Sequence, residues 1–139
     1  MTEPRSSGPP TADPELPHEP SCVLIVDDEE DIRESMREVV EMAGCSAIMA
    51  ANGAEALALL ATRRPCLIIL DLAMPVMGGS QMLEVMKRQP ALATLPVLIS
   101  TSSPSRAPAG FPVVPKPIDI DKIWEWIART CHCSSAPPS

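Results

Sequence analysis

The sequence predicts an α/β fold in which a parallel sheet carries helices on both faces, and three observations support that prediction. Residues 22–26 and 67–70 are short runs with no polar side chain except the Cys22 thiol, the pattern of strands buried on both faces. Segments of helical periodicity lie between such runs. Strands and helices alternate along the chain, the order that gives parallel pairing through crossover connections.

The elements follow in turn. After the first strand, a helix is expected over 31–43, with Ile32, Met36, Val39, Val40 and Ala43 on one face and Gly44 just past its end. Residues 46–50 read as a short second strand. Asn52 and Gly53 then turn the chain into a second helix, 54–63, which presents Leu57, Leu60 and Ala61 inward, sets Arg63 and Arg64 near its negative end, and stops at Pro65. A third helix, 80–89, packs Met82, Leu83 and Met86 and ends at Pro90. Residues 96–101 bring a hydroxyl to a strand end, and 113–117 bring an ammonium. The last helix starts near Asp119 with an acidic first turn and carries Ile120, Ile123, Trp124 and Ile127 on one stripe, leaving Trp126 on its flank towards Lys122 and Arg129.

Composition narrows the function. A chain of 139 residues with 45% apolar content fits one domain with one core. The formal charge of -7 argues against a nucleic-acid surface, which needs clustered Lys and Arg. The longest apolar runs fall short of the ~20 residues of a membrane helix, and the N-terminus lacks a signal peptide's basic start and apolar core, so a cytoplasmic protein is expected. With five cysteines, two of them in expected core strands, reduced thiols are expected rather than a disulfide framework. Cys131, His132 and Cys133 lack the spacing of a tetrahedral metal clip. Six prolines within residues 1–20 and few large apolar side chains predict a disordered arm; 21–131 form the domain, and 132–139 form a flexible tail.

Chemistry concentrates at the expected strand ends. Asp71 closes the run 67–70 and precedes the turn Leu72-Ala73-Met74-Pro75-Val76-Met77-Gly78-Gly79, which puts its carboxylate at the C-terminal edge of a parallel sheet, where open α/β folds bind ligands. A solitary strand-end Asp would merely solvate a turn. Here the run 22–26 also ends in carboxylates, Asp27 and Asp28, and crowding three like charges at one edge is tolerable only with a cation or a raised pKa. A hard, oxygen-ligated metal follows, Mg²⁺ being the expected one. With Thr101 and Lys116 at the neighbouring strand ends, the set describes a pocket for a phosphoryl group.

From about Cys22 to Cys131 the chain resembles the receiver domain of two-component response regulators. The resemblance rests on Asp27-Asp28, on Asp71 with Met74-Pro75 and Gly79, on Thr101, and on Lys116-Pro117, in that order and spacing. It implies a flavodoxin-like, doubly wound, five-stranded parallel sheet of order 2-1-3-4-5. It also implies that Asp71 is the phosphoacceptor, taking phosphate from a histidine kinase or phosphotransfer protein. Mg²⁺ would be held by Asp28, Asp71 and the backbone carbonyl of Ala73, with Asp27 acting through water. Lys116 would pair with the phosphoryl oxygens, and Thr101 would move onto them after transfer.

Two departures from the family pattern stand out. Only 14 residues separate Thr101 from Lys116, and Pro104, Pro108 and Pro112 interrupt them, so the family's fourth helix is expected to be a loop. Three residues before Lys116, where the family usually has an aromatic that follows the threonine, this chain has Val113. The expected protein is therefore a stand-alone, monomeric receiver: a phosphorylation switch or relay intermediate with an unknown downstream protein partner, no nucleic-acid or membrane partner, and no enzymatic output beyond its own phosphorylation and dephosphorylation. The alternative is a pseudoreceiver scaffold that binds partners without phosphorylation. A phosphatase of the aspartyl-phosphate class would want a second acid where Ala73 stands, and a nucleotide switch would want a glycine-rich phosphate loop.

Overall fold

The computed structural model describes residues 16–132; the arm expected over 1–20 lies largely outside the described residues, as does nearly all of the tail expected over 132–139. Five strands, β1 (Glu19–Val26), β2 (Ser46–Ala50), β3 (Pro65–Leu70), β4 (Val97–Thr101) and β5 (Val113–Pro115), form one sheet of order β2-β1-β3-β4-β5. Every pairing is parallel, as the apolar runs predict. The helices are α1 (Glu30–Met42), α2 (Gly53–Leu60), α3 (Gly79–Lys87), the one-turn α4 (Pro90–Ala93) and α5 (Ile120–Thr130).

The strand side chains split into two cores by the period-two rule. Leu24, Val26, Ile68, Leu70, Val97 and Ile99 pack with Ala56, Leu57, Leu60, Met82 and Met86 of α2 and α3. On the other face Val23, Ile25, Leu67, Ile69, Leu98 and Val114 meet Met36, Val39 and Val40 of α1 and Ile123 and Ile127 of α5. Because β3 is central and all six of its residues are buried, the end of that strand is fixed on both sides.

Several elements differ from expectation. β1 starts at Glu19, inside the segment assigned to the arm, because the Arg63 guanidinium grips the Glu19 carboxylate at 2.7 and 2.9 Å and the Glu19 amide donates to Arg64 O. α2 stops at Leu60, three residues early. Arg64, only 2% exposed, satisfies the carbonyls of Leu60 and Arg63, while Arg63 is drawn off to Glu19. Pro90 opens α4 rather than only closing α3, since proline suits the first turn of a helix. Ile120 is exposed, at the outer end of the α5 stripe.

The expectation of reduced thiols is corrected at Cys66 and Cys131. The start of β3 and the end of α5 meet across 65 residues, and the two sulfurs form a disulfide. Cys131 is thereby spent, and Cys133 lies outside the described residues. Cys22 is a free, buried thiol whose pKa is pushed up by burial.

Where a full helix was expected to be missing between β4 and β5, the chain makes a single 3-10 turn at Pro104–Arg106 and otherwise runs as loop. The parallel β4–β5 pairing is kept, with Ile99 beside Val113 and Thr101 beside Pro115.

Candidate functional site

Four strand ends converge at the C-terminal edge of the sheet. β1 delivers Asp27 and Asp28, and β3 delivers Asp71, whose amide donates to Val26 O and so locks the two strand ends together. One carboxylate oxygen from each of the three lies within 4.8 Å of the others. Asp27 and Asp71 are buried, at 3% and 6% exposure, and Asp28 is exposed. β5 leads into Lys116, whose amide bonds Thr101 O and whose Nζ lies 2.9 Å from Asp27 Oδ2 and 3.6 Å from Asp71 Oδ1.

The electrostatics follow from that crowding. Burial first, then the neighbouring charge of Asp27, holds the Asp71 carboxyl above the usual carboxylate range, with Lys116 pulling the other way. Burial opposes the charge on Lys116, but its hydrogen bond to Asp27 and the charges of Asp27 and Asp71 outweigh it and raise its pKa. Asp27 is braced from below: its Oδ1 accepts from the Glu29 amide at 2.9 Å, and its backbone carbonyl accepts from Arg33 Nη1 at 2.8 Å. The three carboxylates make a hard oxygen set, which fits a Mg²⁺-type ion and no soft metal.

The turn after Asp71 is tightly built. A Cβ on Gly79 would lie 2.5 Å from Asp71 O and 2.9 Å from Leu72 Cα, so only glycine lets α3 start this close to the strand end. Val76 takes φ 68° and is 82% exposed, a strained conformation for a β-branched residue. Thr101, 3% exposed, ends β4 with its Oγ1 accepting from the Ser103 amide at 3.0 Å; the hydroxyl proton has no acceptor among the described residues. Ala73 lines the cleft between Thr101 and Arg106 together with Leu72, Ser80, Ser102 and Ser103.

All five sequence-predicted side chains, Asp27, Asp28, Asp71, Thr101 and Lys116, thus reach the same sheet edge. One partner of the site was not foreseen, Arg33, whose signal was a base in the otherwise acidic start of α1. Ser100, a polar side chain inside an apolar strand, lies buried beside Thr101 at 2% exposure.

A family profile for the response regulator receiver domain matches residues 23–128. The chain belongs to that family. It is 35% identical over 112 residues to the response regulator MprA of Mycobacterium sp. (strain KMS), covering 75% of this chain and 47% of that protein. It is 43% identical over 82 residues to protein-glutamate methylesterase/protein-glutamine glutaminase 3 of Hahella chejuensis, covering 58% of this chain and 23% of that protein. The chain thus spans about half the length of MprA, and less of the methylesterase. Among solved structures it resembles the receiver domain of a signal transduction histidine kinase from Syntrophus aciditrophicus, with TM-score 0.72 and 29% identity over 79% of this chain and 89% of that one. It also resembles chemotaxis protein CheY4 of Vibrio cholerae, with TM-score 0.70 and 28% identity over 79% and 98%.

Proposed function

We propose that this receiver acts as a single-domain response regulator: Asp71 accepts a phosphoryl group from a histidine kinase or phosphotransfer protein in a Mg²⁺-dependent reaction, and the product switches a protein–protein interaction or passes the phosphate on. The observation that carries this reading is the convergence of Asp27, Asp28 and Asp71 within 4.8 Å beside the Lys116 ammonium. A scaffold that never met phosphate would have no use for three crowded carboxylates, two of them buried.

The chemistry is an in-line displacement. An Asp71 oxygen attacks the phosphorus of a phosphohistidine; the new O–P bond forms as the N–P bond breaks, and the imidazole leaves with the electron pair and takes up a proton. Mg²⁺ held by Asp28, Asp71 and the Ala73 carbonyl, with Asp27 acting through water, would neutralise the carboxylates and the incoming phosphoryl oxygens. Lys116 exchanges its bond with Asp27 for one with the phosphoryl group. Thr101 turns its unengaged hydroxyl proton onto a phosphoryl oxygen, and because Oγ1 also holds the Ser103 amide, that motion pulls on the loop over 102–112. Output through this loop and the adjoining Trp126 flank of α5 suits a chain with no full helix there and Val113 in place of the aromatic. A groove of about 420 Å³ between α1 and the segment after β5, lined by Ile32, Met36, Met42, Lys116, Ile118 and Ile120 among others, offers a phosphate-exchanging partner a seat beside Lys116. The only catalysis in this reading is the domain's own phosphorylation and dephosphorylation.

Incubation with acetyl phosphate and Mg²⁺, read by intact mass, tests the reading. A gain of ~80 Da, the mass of one phosphoryl group, is expected for the wild-type chain and not for Asp71→Asn. No gain in the wild-type chain would remove the phosphorylation reading and leave the scaffold.

A further inference from the structure

Ser100 is the one described residue with a buried side-chain oxygen that has no hydrogen-bond partner. It lies on β4 between Ile99 and Thr101 and is 2% exposed. A buried hydroxyl without a partner costs stability that an apolar side chain of similar size would not, so its presence in an otherwise apolar strand calls for a use. The sheet register supplies a neighbour. β3 and β4 pair Ile69 with Leu98 and Leu70 with Ile99, and the next step sets Asp71 beside Ser100. Leu98 and Ile69 both face the α1 and α5 core, so by strand alternation Ser100 and Asp71 share that face.

Asp71 has the complementary deficit. Its carboxylate accepts no hydrogen bond of ordinary length among the described residues, and its nearest cation, Lys116 Nζ, stands 3.6 Å away and is committed to Asp27 at 2.9 Å. An unused donor and an underserved acceptor therefore sit on adjacent strands at the same level.

We propose that Ser100 is a positioning residue for Asp71: a rotation about its Cα–Cβ bond lets its hydroxyl donate to the Asp71 carboxylate, which fixes the carboxylate plane and presents one defined oxygen to the incoming phosphorus. When Lys116 turns to the phosphoryl group, Ser100 keeps hold of the aspartyl oxygen that is not phosphorylated. The inference rests on Asp71 being the phosphoacceptor, and it adds a residue to that site rather than a step to the reaction.

The test measures initial rates of phosphorylation by acetyl phosphate with Mg²⁺ in the wild-type chain, Ser100→Ala and Ser100→Thr, with thermal midpoints taken in parallel. Loss of one ordinary hydrogen bond predicts a rate about tenfold lower in Ser100→Ala. Ser100→Thr, which restores the hydroxyl, should return to within about threefold of wild type on the same scale. A Ser100→Ala variant as fast as wild type, or one that is slow, less stable and not matched by recovery in Ser100→Thr, overturns the proposal. A crystal structure of the unmodified protein gives a reading independent of phosphorylation. Ser100 Oγ within hydrogen-bond distance of an Asp71 oxygen supports the assignment even if the wild-type chain takes no phosphate, in which case only the phosphoacceptor reading fails. Ser100 Oγ bonded to an ordered water or a carbonyl instead of Asp71 overturns it.

Discussion

Lys116 is hydrogen-bonded to Asp27 and stands off Asp71, with Nζ 2.9 Å from Asp27 Oδ2 and 3.6 Å from Asp71 Oδ1. The strand end of β5 thereby closes onto that of β1 across β3 and β4, and the cation is held within reach of the proposed phosphoacceptor while its hydrogen bond goes to Asp27. In the proposed reaction the ammonium serves Asp27 before transfer, and the added phosphoryl charge would compete for it afterwards.

Lys116→Ala should therefore act twice. The phosphorylation rate should fall at least about tenfold, because the developing phosphoryl charge loses its closest fixed cation. The unmodified protein should also lose about 2 kcal/mol, since a buried Asp27 oxygen is left without its partner. That contribution is present below the ordinary lysine pKa and disappears as pH rises through the raised pKa of Lys116. Urea unfolding at neutral pH and single-turnover labelling check the two halves separately.

Asp71→Asn should make the metal-free protein more stable by about 1 kcal/mol at neutral pH, although it destroys the proposed activity. The wild-type carboxyl has a raised pKa from burial and the Asp27 charge, so its ionised form carries a cost in the fold. The cost is fully present above the raised folded pKa and is relieved as pH falls through it, because the folded protein then takes up the proton more readily than the unfolded chain. The advantage of the variant should thus shrink in acid. Thermal midpoints across pH in metal-free buffer read it; an Asp71→Asn variant that is less stable at neutral pH would contradict the crowding argument.

Asp28 is exposed, so Asp28→Ala should change stability by no more than about 0.5 kcal/mol. Mg²⁺ binding should nonetheless weaken at least about tenfold, since a hard cation loses one of its few carboxylate ligands. Calorimetry is the suitable probe, because both tryptophans lie on α5 and none of the three carboxylates does. Unchanged Mg²⁺ affinity would move the metal off this cluster.

The site was more legible in the sequence than its wiring. Asp27, Asp28 and Asp71 could be read because two apolar runs ending in carboxylates crowd like charges at one edge, which a lone turn-solvating Asp does not do, and Thr101 and Lys116 followed from strand ends in the same order. The proline spacing over 104–112 announced the missing helix for the same local reason. What stayed hidden depends on partners far apart in the chain. The ion pair that draws Glu19 into β1 spans 44 residues, and the disulfide that joins Cys66 to Cys131 spans 65. Composition around Pro20 said arm, and only the position of Arg63 in space says strand. Ser100 was visible as a polar residue but meant nothing until the register set it beside Asp71.

Phosphorylation should not drive dimerisation through the face that a full fourth helix would build. Here that stretch is a loop with one 3-10 turn, and Trp126 beside it is half-buried, with the Arg129 guanidinium 5.0 Å from its ring centre. Light scattering of the protein with and without Mg²⁺ and fluoroberyllate, a stable phosphoryl mimic, should give the same mass. A mimic-dependent dimer that is lost in Trp126→Ala would show that the face survives the shortened connection.

The most direct measurement of the central claim locates the acyl phosphate itself. After labelling with acetyl phosphate and Mg²⁺, reduction with sodium borohydride converts an aspartyl phosphate to homoserine, and peptide mass spectrometry reads the position. Homoserine at residue 71 alone, absent when Mg²⁺ is chelated, is the predicted result. Homoserine at Asp27 or Asp28, or phosphate retained on a serine or threonine with Asp71 unchanged, would contradict the account.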